Sequence, residues 1–118
     1  MDEKERLAYA RNISHTMMQM SLRLNDARQR KQLYELRTTL FELTNGSASH
    51  SPNLRELVPF SKKIKAFSNT LREPFKEDLS DIAMLVFTLA TGDEVLLARD
   101  KKNILFMITE WDRKYKRS

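Results

Sequence analysis

The residues best equipped for chemistry crowd into one stretch, NISHTMMQMSLRLNDARQRKQL, from Asn12 to Leu33. It holds three methionines, a histidine and a run of cationic side chains. Soft thioethers with an imidazole suit monovalent copper, and His15, Met17, Met18 and Met20 lie close in sequence. On a helix, however, Met17 and Met20 share a stripe with Ile13 and Leu24, while His15 and Met18 point elsewhere. One face does not gather all four, so no metal site is expected. Methionine is also the adaptable filler of uneven cores and of sticky binding grooves. The stretch therefore reads as the inner face of a helix, with Met17, Met18, Met20 and Leu24 as the candidate surface for a protein partner.

The cations that follow admit two readings. Arg23, Arg28, Arg30, Lys31 and Arg37 spread around a helix, and Asp26 and Glu35 are interspersed among them, as on a solvated face. The alternative is phosphate contact, in which each neutralised phosphate adds affinity and salt dependence whatever the base sequence. Its candidates are Arg28, Arg30 and Lys31, then Lys62, Lys63 and Lys65 in SKKIKAF, and Arg113, Lys114, Lys116 and Arg117 in the tail. Tyr115, set among the last group, could stack on a base. A helix-turn-helix reading of NLRELVPFSKKIKAF is weak, because Pro59 falls where the connection needs freedom and no glycine marks the turn.

Catalytic constellations do not assemble. There are two histidines, no cysteine and no glycine-rich phosphate loop, so the usual nucleophile–base pairs and phosphate cradles have no parts. His50 falls in a loop, a poor seat for a fixed base. Glu73, Glu77 and Asp81 repeat every four residues, but a di-iron bundle would need Glu-x-x-His motifs, and neither histidine has a glutamate three residues earlier. A solvated acidic face is the better reading. Asn12–Ser14 and Asn45–Ser47 have the sequon form without secretory context. The function expected is thus non-enzymatic and cofactor-free: a small regulator or adaptor that binds a protein partner, with a nucleic-acid-binding regulator as the alternative.

The elements that must position these residues follow from periodicity. Leu7, Ala10, Ile13, Met17, Met20, Leu24 and Ala27 recur at spacings of three and four, one stripe along a helix. Leu33, Leu36, Leu40 and Leu43 form a second stripe, out of phase with the first by roughly 120°. A break near LNDARQ is expected, with Asp26 and Gln29 as a capping box. TNGSASHSPN, Thr44 to Asn53, reads as a flexible loop. Next come one helical turn before Pro59 and a helix capped by Ser61 with Ile64, Phe67 and Leu71 on one side. Pro74 and a capping Asp78 mark the next boundary.

DLSDIAMLVFTLATG is the most apolar segment, with Leu79, Ile82, Ala83, Val86, Phe87 and Ala90 on a broad face that Leu85 and Leu89 widen. It is the expected central helix, ending at Gly92 in a left-handed turn. EVLLAR and NILFMIT could pair as a β-hairpin over 94–109, giving a winged-helix-like outline. The helical alternative, capped by Asp100, places Ile104, Leu105, Ile108, Trp111 and Tyr115 at helical spacing, well past any hairpin arm, and is preferred.

Size and composition fit one all-α domain over 1–118, a compact bundle of four to five helices with a basic tail at 113–118. The 118 residues include only two glycines and three prolines, too few for a turn-rich β-fold. Hydrophobic residues make up 41% and charged residues 31%, a globular balance. The longest apolar run, Ile82 to Ala90, is far short of the about 20 residues that span a bilayer. A charged amino terminus and the lack of cysteine make a cytoplasmic location the expectation. The net charge is +5, yet Glu73 to Glu94 carries six acidic residues against Lys76 alone. Such zoning attracts nucleic acid, an acidic partner or a second copy, and a homodimer is expected.

Overall fold

The computed structural model describes residues 2–46, 52–92 and 101–115. Among them the chain is all-helical. It runs α1 (Glu3–Ser21), α2 (Ala27–Asn45), a 3-10 turn (Leu54–Glu56), α3 (Leu57–Ser68), α4 (Phe75–Thr91) and α5 (Lys101–Tyr115). The hairpin is not seen: the described part of 94–109 is helix, and residues 94–100, with the expected cap Asp100, lie outside the described residues.

The first two helices begin at aspartate caps. Asp2 accepts the Glu5 amide at 2.7 Å and so caps α1. Asp26 accepts the Gln29 amide at 3.0 Å and caps α2, which fixes the expected break. Gln29 does not return the bond as a full capping box would; its side chain donates to the Thr70 carbonyl. Arg30 donates from one Nη to the carbonyls of Leu24 and Asn25, holding the connection in place.

Four boundaries differ from expectation. α3 starts at Leu57, so Pro59 sits in the first turn, where its missing N–H costs nothing. Ser61 is therefore no cap: it is buried inside the helix, its hydroxyl donating to the Val58 carbonyl at 2.7 Å. α4 starts at Phe75, which places Asp78 in the first turn, free to face α5. Gly92 closes α4 with φ −69°, an extended geometry open to any residue, whereas Gly46 after α2 has φ 75°. Thr44 and Asn45 belong to α2, and residues 47–51 of the expected loop lie outside the described residues.

One connected apolar core draws on all five helices. Ile13, Met17, Met20, Leu33, Leu40, Leu57, Ile64, Leu79, Ile82, Val86 and Leu89 have no exposed area. Burial of each such side chain stabilises by about 1.5–3 kcal/mol before the entropic cost of ordering it. Polar ties lock the ends. Arg6 of α1 donates to the carbonyls of Leu89 and Gly92, meeting the negative end of α4. Arg23 donates to the Tyr115 carbonyl at the end of α5. Thr16 of α1 donates to Asp112 of α5 at 2.6 Å.

Candidate functional site

The methionine box separates into two populations. Met17 and Met20 are fully enclosed and Leu24 is 4% exposed, so these three line the core and not an open groove. The stripe that predicts burial is the reason: α1 packs against α2, α4 and α5 together. Met18, one position off the stripe, stays half-buried at the α1–α2 edge. His15 is exposed, so the imidazole and the two enclosed thioethers diverge. Among the described residues no cluster of three or more His, Asp or Glu side chains is placed to hold a metal ion.

Around Met18 the surface is apolar and aromatic. Leu22, which follows α1 directly, is exposed, as are Tyr34 and Phe41 of α2. The two rings sit seven residues apart, about two helical turns, with Arg37 between them. The Arg37 guanidinium carbon lies 5.3 Å from the Tyr34 ring centre and 5.8 Å from that of Phe41, within cation–π range. One Nη points at the Met18 sulfur at 3.6 Å, and Nε is buried without a hydrogen-bond partner. No carboxylate among the described residues pairs with this cation. The signal in the sequence is Tyr34-x-x-Arg37-x-x-x-Phe41, one helical edge. Hydrophobic periodicity misses it, because the leucine stripe alone marks the face of α2.

A second apolar ridge runs along α4. Met84 is 65% and Phe87 43% exposed, although the sequence places Phe87 on the buried face. That face is centred on Ile82, Leu85, Val86 and Leu89, which turns Phe87 outward. On one flank a groove of about 330 Å³ between α4 and α5 is lined by Asp81, Met84, Leu85, Thr88, Asn103, Ile104 and Met107. On the other flank a hollow of about 290 Å³ toward α3 is lined by Ser61, Lys62, Lys65, Ala83, Met84, Phe87 and Thr88. Leu105 and Phe106 of α5 are also exposed.

Among the described residues the basic candidates lie on α2, α3 and α5. Arg28 and Lys31 lie exposed at the start of α2, while Arg30 is turned onto the α1–α2 connection. Lys63 lines a hollow with Gln32, Glu35 and Leu36 of α2, whereas Lys62 and Lys65 border α4. Arg113 is 3.4 Å from Glu110 and Lys114 2.8 Å from Asp78. Lys116 and Arg117 lie outside the described residues, as does His50.

Asp78 accepts a hydrogen bond from the Tyr115 hydroxyl as well as the Lys114 ion pair, and Phe75 stacks on Tyr115 at 5.8 Å. Burial raises the Tyr115 phenol well above its ordinary value, and the hydrogen bond to Asp78 raises it further. This knot joins the start of α4 to the end of α5 and is structural in geometry. The buried serines Ser14, Ser21, Ser61 and Ser68 each donate to a carbonyl three residues back.

No protein-family model, curated protein or solved structure matches the chain. Among the described residues no helix is long and apolar enough to cross a membrane.

Proposed function

We propose that this is a non-enzymatic cytoplasmic adaptor or regulator that binds a protein partner through the α1–α2 edge formed by Met18, Leu22, Tyr34, Arg37 and Phe41, and that it works as a homodimer. The observation that carries the reading is Arg37: a cation set between two aromatic rings and a thioether, with no carboxylate partner among the described residues. Arginine, tyrosine and methionine are the residues enriched where partners meet, and the strongest contacts combine an apolar anchor with a desolvated charge. A guanidinium presents a planar fork that suits a carboxylate. The partner segment this edge fits is therefore an acidic residue flanked by large apolar side chains.

Selection from a displayed library of random peptides tests the reading. The selected sequences should share an acidic residue beside leucine or an aromatic residue, and Arg37→Ala should weaken their binding by about tenfold or more, as loss of a charged anchor does. Arg37→Lys keeps the charge and should recover only part of the affinity. A basic consensus, or unchanged binding by a folded Arg37→Ala protein, would refute it.

A further inference from the structure

The α4 ridge has a charge pattern that the α1–α2 edge does not explain. Met84 and Thr88 form its crest, bordering both the α5-side groove and the α3-side hollow. Phe87 leans to the α3 side, where Lys62 and Lys65 form the rim. Asp81 lies on the α5 side, beside a groove whose lining among the described residues has no lysine or arginine. Asp81 and Lys62 have no ion-pair partner among the described residues, and the Lys65 ammonium donates only to the Ser80 hydroxyl. The crest thus separates an anionic flank from a cationic one.

We propose that two copies of this chain pair along α4 with their α4 helices parallel, so that Asp81 of each copy faces Lys62 and Lys65 of the other. A two-fold axis parallel to α4 exchanges left and right flanks and brings opposite charges together twice. An axis across α4 would set lysine against lysine and aspartate against aspartate, which is unfavourable. The parallel arrangement also carries Phe87 of each copy over the other's α4–α5 groove, whose Met84, Leu85, Ile104 and Met107 are soft, apolar walls. The surface is self-complementary, as an isologous interface must be. The proposal rests on the homodimer reading above and adds where the copies meet.

Charge exchange followed by sedimentation of the full chain distinguishes the two levels. Asp81→Lys alone, and Lys62→Glu with Lys65→Glu alone, each place like charges at both contacts and should weaken dimerisation by about tenfold or more. An equimolar mixture of the two variants restores opposite charges across the pair and should dimerise about as tightly as the native chain. Lys62 and Lys65 are exposed and Asp81 is half-buried, and circular dichroism checks the fold of each variant. A native chain that stays monomeric at every concentration overturns the homodimer and this interface together. A native dimer with variants that dimerise equally well, or a mixture no tighter than its components, overturns the α4 interface while leaving the dimer standing.

Discussion

Met17, Met18 and Met20 fall within four consecutive positions, yet two are sealed in the core and one borders the surface. At about 100° per residue, a single step off the stripe is enough to change a side chain's environment. That division is legible in the sequence, because Ile13 and Leu24 mark the stripe. Arg37 is not: its type suggests a solvated cation, and only the approach of α1 places Met18 against it. Tyr115 reads as a core or stacking residue, but its tie to Asp78 depends on α4 and α5 meeting end to end and has no local signal. Removing the hydroxyl with Tyr115→Phe should cost about 1.5–3 kcal/mol at neutral pH, the worth of a hydrogen bond to a charged acceptor. The folded state raises the phenol's pKa, so it favours the protonated form. The hydroxyl's contribution is then complete below the unfolded value near 10 and falls as pH rises beyond it. Urea unfolding at a series of alkaline pH values should show the gap between native and Tyr115→Phe proteins closing above about pH 10; a constant gap would mean that the phenol ionises equally easily in both states.

Helices with a sustained three-and-four pattern are legible, and so is the Asp26 cap. α1 and α5 emerge much as their stripes require, with Ile104, Ile108, Trp111 and Tyr115 all buried. Starts at proline are harder. Pro59 and Pro74 read as barriers, yet the first turn of a helix tolerates a missing N–H, so α3 and α4 begin before Ser61 and Asp78, the caps their sequences offer. The orientation of α4 is legible only in part, since a helix apolar most of the way round does not reveal which residue a neighbour leaves uncovered. Phe87 is that residue. The positive φ expected at Gly92 is found instead at Gly46. Gly46, at φ 75° and ψ 178°, occupies a region nearly closed to other residues, so Gly46→Ala should cost about 1–3 kcal/mol. Gly92, at φ −69° and ψ 152°, should accept alanine within about 0.5 kcal/mol. Thermal unfolding of both variants checks the contrast, and equal losses would contradict the helix ends described.

The whole molecule joins a closed core to two unlike surfaces. The sequence conveys the all-helical class, through scarce glycine and clear stripes, and it conveys zoned charge. It does not convey which cations share a face, because that depends on how α2, α3 and α5 pack. What packing does assemble is the Met18–Tyr34–Arg37–Phe41 edge, made from two helices joined by a short connection. The most direct measurement is the methyl spectrum of methionine-labelled protein during titration with a selected acidic–apolar peptide. The proposed function requires the Met18 methyl to shift progressively while the Met17 and Met20 methyls hold their positions. Shifts confined to Met84 and Met107, or collective broadening of Met17 and Met20 as the bundle opens, would contradict it.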